Sequence, residues 1–261
     1  MLRNLLDVDL TGQVAVITGG GRGFGLAFAR CLCEHGVISI LAELDEGAGR
    51  DAEQCLTQEG LKAEFIQLDV SDPYRVEEVA QVVNRKYGRL DLWINNAGFA
   101  RHGPSEDLSI ENWQMGIGVM LSGTFYGCQS AGRIMLRQGY GNIINIASAN
   151  GFLAQPGRAA YNAAKAGVIH LTATLGSEWG PRNVRVNAVA PNVFMTDLAR
   201  TALYSSPAAS METYINRVPA RRLGEMPELT QAILFLASPH SSYINGQTLR
   251  VDGGVVSDHY L

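Results

Sequence analysis

Short apolar runs alternate along the chain with longer segments in which apolar residues recur every three or four positions. A short apolar run bounded by turn residues is typical of a strand, and the longer spacing is typical of an amphipathic helix. Strands are predicted at residues 14–17, 37–41, 63–68, 90–94, 142–147, 184–189 and 248–251. Helices are predicted at residues 26–34, 46–59, 73–87, 110–137, 158–179 and 227–237. This alternation predicts parallel βαβ units and an α/β fold with helices on both faces of the sheet.

A glycine-rich stretch follows the first predicted strand and precedes the first predicted helix. Residues 14–25 read VAVITGGGRGFG, in which Gly19, Gly23 and Gly25 are spaced as Gly-x-x-x-Gly-x-Gly. Glycines let a backbone approach a pyrophosphate closely, and a helix N-terminus offers free N–H groups and the positive end of its dipole. The stretch therefore predicts a phosphate site, although a tight turn without a ligand would use the same glycines. No Gly-Lys-Ser/Thr follows, which excludes a Walker loop.

Composition excludes several classes of function. The chain has 261 residues and a net charge of −4, and no basic stripe indicates a nucleic-acid partner. The four cysteines show no CxxC spacing and the histidines form no ligand cluster, so we expect free thiols and no catalytic metal. The first ten residues lack the apolar core of a signal peptide, and no apolar run approaches the ~20 residues of a membrane span. We therefore expect one soluble cytoplasmic domain over residues 1–261, without a membrane partner.

Glu43 follows the second predicted strand and bears on the choice of nucleotide. In dinucleotide folds, an acidic residue about 20 positions beyond the glycines bonds the ribose 2′-hydroxyl. A carboxylate there would repel a 2′-phosphate, so the sequence predicts NAD rather than NADP. Arg22 favours NADP, because a guanidinium can hold a phosphate. An ordinary solvated position at a strand end is the alternative for Glu43.

Asp69 and Val70 follow the third predicted strand, where the carboxyl edge of the sheet would flank an adenine. Asp69 could equally cap the next helix, a role for which Ser71 and Asp72 compete. Both interpretations stay open at this point.

Tyr161 and Lys165 lie four residues apart in the predicted helix 158–179 and so share one face. An ammonium beside a tyrosine stabilises the phenolate, which makes the tyrosine a possible general acid or base. Ser148 follows the strand at 142–147, at the edge where open α/β sheets bind ligands, and its hydroxyl could orient a substrate oxygen. Taken singly, each residue type is common on surfaces and in turns.

The order of these motifs resembles the short-chain dehydrogenase/reductase family over nearly the whole chain. The motifs that carry the resemblance are the glycine loop, Asn95-Asn96-Ala97-Gly98, Ser148 and Tyr161-x-x-x-Lys165. Three C-terminal stretches are also similar to the family pattern, namely Arg222-Leu223-Gly224-Glu225, Asn245-Gly246-Gln247 and Val251-Asp252-Gly253-Gly254.

The resemblance implies a three-layer, doubly wound Rossmann fold with a central seven-stranded parallel sheet, and a tetramer or dimer. It implies hydride transfer between NAD(H) and a secondary alcohol or ketone. Tyr161 would be the general acid/base, Lys165 would bond the nicotinamide ribose, and Ser148 would hold the substrate oxygen. The cofactor contacts implied are Gly19, Gly21, Arg22, Gly23, Phe24, Glu43, Leu44, Asp69, Val70, Asn96, Ala97, Gly98, Tyr161, Lys165, Pro191, Val193 and Thr196.

Two positions depart from the family pattern. Met120 stands where the family usually has an Asn that helps hold a water in a proton relay, and a thioether cannot donate a hydrogen bond. Packing between helices is the alternative role for Met120. Asn192 follows Pro191 where Gly is usual, and Asn tolerates left-handed dihedrals. Met120 leaves open a nucleotide-binding protein with weak or no catalysis, and Arg22 leaves open an NADP-dependent 3-oxoacyl reductase.

Residues 194–221 interrupt the alternation, and we interpret them as a substrate lid, with an ordinary surface loop as the alternative. We expect five residues to line the pocket, because they lie close in sequence to the lid or to the chemical residues. They are Asn150, Phe152, Gln155, Phe194 and Leu198. Because they mix apolar and amide groups, polyols, cyclic ketones and aromatic alcohols all stay open as substrates.

Overall fold

A parallel β-sheet organises the protein, which a computed structural model describes over residues 8–99, 101–194 and 211–257. Seven strands lie in the order β3-β2-β1-β4-β5-β6-β7, and every neighbouring pair is parallel. The strands are β1 (Val14–Thr18), β2 (Ile38–Glu43), β3 (Ala63–Gln67), β4 (Leu92–Asn95), β5 (Gly141–Ile146), β6 (Val184–Pro191) and β7 (Thr248–Val251). The chain order reverses between β1 and β4, which is where doubly wound sheets bind ligands.

Helices cover both faces of this sheet. They are α1 (Gly23–Glu34), α2 (Glu46–Gln58), α3 (Pro73–Tyr87), α4 (Ile110–Ile117), α5 (Gly123–Gln138), α6 (Ala159–Trp179), α7 (Met211–Asn216) and α8 (Met226–Ala237). One core includes Phe28 of α1 and Ile233 of α8, and a second includes Val79 of α3 and Ile134 of α5. The predicted three-layer Rossmann fold is therefore confirmed.

Most predicted boundaries agree with the structure to within two residues, but α1 begins three residues earlier, at Gly23. Two glycines in its first turn removed the apolar periodicity on which the prediction depended. At α3, the carboxylate of Asp72 accepts from the N–H groups of Tyr74 and Arg75. Asp72 is thus the cap of α3, and the capping alternative for Asp69 is wrong.

The long helix predicted over residues 110–137 is helical throughout, but its regularity is interrupted. A π-helical turn, Gly118–Ser122, separates α4 from α5, and it contains the buried side chain of Met120. Such a turn inserts one extra residue and is frequent at functional sites. This segment packs closely against the end of β4, because a Cβ on Gly127 would overlap Oδ1 of Asn95.

Candidate active site

The glycine loop passes close to two other parts of the backbone. Gly19 has a φ of +63°, and a Cβ there would lie 3.0 Å from Cα of Ala97 in the loop after β4. A Cβ on Gly25 would overlap the carbonyl oxygen of Gly19. Larger residues at either position would push α1 or the β4 loop away, so these glycines set the shape of the crevice between β1 and β4.

The N-terminus of α1 has no internal cap. Arg22 precedes the helix and makes no side-chain cap, and the first turn holds no acidic residue. By contrast, side chains of Asp45, Asp72 and Ser109 accept from first-turn N–H groups of α2, α3 and α4. The N–H groups at the start of α1 are therefore available to an anion, which their dipole also favours.

Asn96 joins the loops that follow β1 and β4. Its Nδ2 donates to the carbonyl oxygens of Thr18 (2.9 Å) and Gly19 (3.1 Å). Oγ1 of Thr18 accepts in return from the N–H groups of Asn96 (2.9 Å) and Ala97 (3.0 Å). The side chain of Asn96 thus holds the glycine loop in place. Gly98 follows on the same rim, and a Cβ there would lie 3.8 Å from Nζ of Lys165.

The carboxylate of Glu43 is fixed at the end of β2. It accepts from the N–H groups of Gly21 (3.1 Å), Leu44 (3.0 Å) and Asp45 (3.2 Å), and the residue is 9% exposed. Arg22 forms its ion pair with Asp45 at 2.5 Å, and both of these side chains are more than half exposed. An acidic group therefore stands beside the glycine loop, while the guanidinium points toward solvent.

Lys165 connects α6 to the carboxyl end of β5. Its Nζ donates to the carbonyl oxygen of Ile146 at 2.6 Å and lies 5.9 Å from the ring centroid of Tyr161. Burial lowers the pKa of the Lys165 ammonium to about 8. Ser148, two residues beyond Ile146, is also buried, and its Oγ accepts from the N–H of Asn150. The structure therefore places the three predicted catalytic residues at one edge of the sheet.

A cavity of about 320 Å³ lies beside Tyr161, between the loop after β4, α4 and the start of α6. Arg158 lines it, with Cζ 5.8 Å from the ring centroid of Tyr161 and Nη2 2.8 Å from Nε2 of His102. Met120 lines the cavity too, and a Cβ on Gly98 would lie 3.4 Å from its Cγ. Met120 thus packs between the cavity and the β4 loop, in agreement with its packing alternative.

Of the residues expected to line the pocket, the four that the structure describes do not line this cavity. Asn150 and Gln155 bond each other (Nδ2 to Oε1, 2.8 Å), and neither they nor Phe152 are among the described residues around the cavity. Phe194 is 3% exposed and packs edge-on against Phe24 at 5.8 Å. Leu198 lies outside the described residues.

Sequence reasoning missed Arg101, His102 and Arg158, which line the cavity. The N–H of Gly103 donates to the carbonyl oxygen of Gly157 at 3.1 Å, and this bond brings the β4 loop to the start of α6. The two segments are more than 50 residues apart in the sequence. The arginine at 158, three residues before Tyr161, was the one available signal, because that spacing places both on one helix face.

The remaining predicted cofactor contacts occupy loop ends. Oδ1 of Asp69 accepts from the N–H and the hydroxyl of Ser71, which forms a tight turn after β3. Pro191 ends β6, and the carbonyl oxygen of Val193 accepts from Gly224. Thr196 and most of the expected lid at 194–221 lie outside the described residues. Their contacts with a cofactor stay predictions.

Asn192, which stands where the family pattern usually has glycine, has a structural role of its own. Its φ is not positive, so the position needs no glycine. Its Oδ1 accepts from Oη of Tyr214 at 2.6 Å, and its N–H donates to the carbonyl oxygen of Val251. The Asn192 side chain therefore ties α7 to the end of β6.

Comparisons with known proteins agree with this arrangement. A family model described as enoyl-(acyl carrier protein) reductase matches residues 19–256. The chain is 37% identical to the 3-oxoacyl-[acyl-carrier-protein] reductase of Thermotoga maritima, covering 95% of this chain and 99% of that one. It is also 37% identical to the D-threitol dehydrogenase of Mycolicibacterium smegmatis, with 95% and 94% covered.

A solved gluconate 5-dehydrogenase from Burkholderia cenocepacia, in complex with NADP and tartrate, superposes on this chain with a TM-score of 0.89. The two sequences are 36% identical, and 96% of this chain and 97% of that one are covered.

Within the described ranges, no helix combines the length and apolar character needed to cross a membrane. The same ranges contain no group of three or more acidic, histidine or cysteine side chains placed to hold a metal. The motifs, the fold and the full-length similarity together show that the chain belongs to the short-chain dehydrogenase/reductase family.

Proposed function

We propose that the chain is an NAD-dependent oxidoreductase that transfers hydride between NAD(H) and a secondary alcohol or ketone. The observation that carries the proposal is the position of Tyr161 beside the buried ammonium of Lys165. Both lie at the edge of the sheet that also carries the uncapped N-terminus of α1. Open α/β sheets bind ligands at this edge.

The residues present fit a dinucleotide. Free N–H groups at the start of α1 suit a pyrophosphate, and the close approaches of Gly19 and Gly25 leave no side chain in its way. Glu43 would hold the hydroxyls of the adenosine ribose, and Lys165 those of the nicotinamide ribose. When bound, the nicotinamide supplies the acceptor or donor of the hydride.

Proton transfer then depends on the chain's own side chains. With a pKa of about 8, Lys165 is mostly protonated at neutral pH, and its charge stabilises the Tyr161 phenolate. Tyr161 takes the proton of an alcohol hydroxyl in oxidation and returns it to the carbonyl oxygen in reduction. The hydroxyl of Ser148 orients that oxygen.

The preference for NAD rests on Glu43. Three backbone N–H groups hold its carboxylate beside the loop, where it would repel a 2′-phosphate. Arg22, in the same loop, would favour a 2′-phosphate, and its guanidinium forms an exposed ion pair with Asp45. A tenfold higher kcat/KM with NADP than with NAD would overturn this part of the proposal.

The activity is tested by incubating the protein with NAD and a panel of secondary alcohols, polyols and sugars while NADH absorbance is followed. NADH formation with at least one alcohol is expected. Tight NADH binding without turnover of any substrate would instead support a nucleotide-binding protein with weak or no catalysis, for which Met120 is the favouring feature.

NADP-dependent reduction of 3-oxoacyl groups is the second candidate. The identity with the Thermotoga maritima reductase and the presence of Arg22 in the glycine loop favour it. The two candidates are distinguished by offering an acetoacetyl thioester with NADPH or with NADH. Faster consumption of NADPH would select the second candidate.

We also propose a homo-oligomer, either a tetramer or a dimer, and a cytoplasmic location. Large apolar side chains on α4 and α5 are partly or largely exposed, namely those of Ile110, Trp113, Met115 and Phe125. Such a surface favours association. Light scattering of the purified protein distinguishes the assemblies, and a monomer at micromolar concentration would contradict the proposal.

A further inference from the structure

We propose that the cavity beside Tyr161 binds a substrate that carries a carboxylate, and that Arg158 holds that carboxylate. The inference rests on the proposed function, because it assigns a substrate class to the same site. It is carried by the position of one charged side chain that has no described carboxylate within ion-pair distance.

Arg158 is half-buried, and no carboxylate of the described residues lies within ion-pair distance of it. Arg89 and Arg222, by contrast, pair with Asp91 and Glu228. Burial of a charge is unfavourable unless an opposite charge or several hydrogen bonds compensate it. Two contacts with His102 supply part of this compensation, and an anion that arrives with the ligand would supply the rest.

The contacts of Arg158 leave one edge of its guanidinium free. Nε and Nη2 lie 3.3 Å and 2.8 Å from the two ring nitrogens of His102. The remaining N–H groups, on Nη1 and the outer side of Nη2, form the fork that matches a carboxylate. A neutral imidazole has one acceptor nitrogen, so His102 accepts one hydrogen bond from the guanidinium, and burial together with the Arg158 charge lowers the pKa of His102. His102 thus contacts the guanidinium as a neutral group.

Other charges around the cavity do not cancel that of Arg158. Arg101 adds a second guanidinium, which donates to Oδ1 of Asn112 at 2.5 Å. Asp107 is the one carboxylate among the described lining residues, and it is exposed. Tyr214 lies close enough to interact electrostatically with Arg158, but its hydroxyl donates to Asn192. Two positive groups against one negative group favour an anionic ligand.

The position of Arg158 also limits the length of the substrate. Arg158 directly precedes α6, three residues before Tyr161, and its Cζ lies 5.8 Å from the Tyr161 ring centroid. A carboxylate bound by Arg158 is therefore only a few bonds from a hydroxyl that Tyr161 deprotonates. Short hydroxy acids and sugar acids fit this separation, and the carboxylate itself is unchanged in the reaction.

The test compares hydroxy acids with their primary amides, which have nearly the same shape without the charge. Lactate, 3-hydroxybutyrate and galactonate are each assayed against their amide with NAD, and kcat/KM is measured for every compound. The wild-type protein should prefer the acid. The acid-to-amide ratio should fall about 10- to 100-fold in Arg158→Met, the loss expected for a hydrogen-bonded charge pair.

Two further variants separate recognition of the carboxylate from other roles of Arg158. Arg158→Lys keeps the charge but loses the fork, so its ratio should lie between those of the wild type and Arg158→Met. Arg182→Met removes an exposed arginine next to the amino end of β6 and should keep the wild-type ratio. If Arg158 only activated Tyr161, acid and amide would lose kcat equally, and an unchanged ratio in Arg158→Met would overturn the proposal.

Calorimetric titration of the same pairs into NADH-saturated protein gives a readout that does not depend on turnover. Tighter binding of an acid than of its amide, lost in Arg158→Met, supports the carboxylate site even if no compound is oxidised. Selective acid binding without oxidation of any compound would refute the proposed function and leave the carboxylate site supported. Equal affinity for acids and amides, or no binding of either, would refute the carboxylate site while oxidation of neutral alcohols could still support the proposed function.

Discussion

Replacing Lys165 by methionine should make the protein more stable at neutral pH while it abolishes activity. The Lys165 ammonium is 5% exposed, and its one described hydrogen bond is to the carbonyl oxygen of Ile146. Methionine has a similar length and no charge to bury. A group retained at a cost in stability is typical of a functional site.

The size of the expected gain in stability follows from the pKa of Lys165, which burial lowers from 10.5 to about 8. Below pH 8 the lysine is protonated in both the folded and the unfolded chain, and folding bears the full cost of about 3 kcal/mol. Between pH 8 and 10.5 the folded chain has released the proton while the unfolded chain still holds it. Wild-type stability should therefore rise with pH there, by about 1 kcal/mol between roughly pH 7 and 9 from this residue.

Urea unfolding of the wild type and Lys165→Met at about pH 7 and about pH 9, at one protomer concentration, measures this difference. The variant should be more stable than the wild type at both pH values, and this difference in unfolding free energy should shrink by about 1 kcal/mol at the higher pH. Lys62→Met, at an exposed lysine, is the matched control and should follow the wild type. An advantage that is the same at both pH values would refute this account of Lys165.

Three further predictions concern the crevice and α7. Gly25→Ala should weaken NADH binding about tenfold or more, because its Cβ would overlap the Gly19 oxygen, and an unchanged dissociation constant in a fluorescence titration would contradict this. Glu43→Ala should lower the kcat/KM ratio of NAD over NADP about tenfold, and an unchanged ratio would exclude Glu43 as its source. Tyr214→Phe should cost about 1 kcal/mol in urea unfolding, since it removes the bond to Asn192. If the losses in unfolding free energy from Tyr214→Phe and from Asn192→Ala add fully in the double variant, the two side chains are not coupled.

The fold was predictable because its signals are local. Apolar runs and helical periodicity located the strands and most helices, and alternation of the two indicated a parallel sheet. The π turn around Met120 was not predictable, because one extra residue within a helix leaves no mark in the apolar pattern. The start of α1 was misplaced because Gly23 and Gly25 have low helix propensity. Gly23 has a φ of +54°, and a Cβ on Gly25 would overlap the carbonyl oxygen of Gly19.

The site was only partly predictable. Tyr161 and Lys165 share a helix face, so their proximity follows from spacing alone. The meeting of Arg158 with His102 depends on a backbone bond between Gly103 and Gly157, and no local pattern reports such a contact. The composition of the substrate cavity therefore became visible only in three dimensions.

The central claim is that Tyr161 exchanges the substrate proton over a cofactor bound in the crevice. Its most direct test is Tyr161→Phe, measured for NADH affinity and for single-turnover NADH formation with an alcohol that the wild type oxidises. We expect NADH affinity within about twofold of the wild type and a hydride-transfer rate lowered about 100- to 10,000-fold. A rate within about tenfold of the wild type, at the same NADH affinity, would contradict the role given to Tyr161.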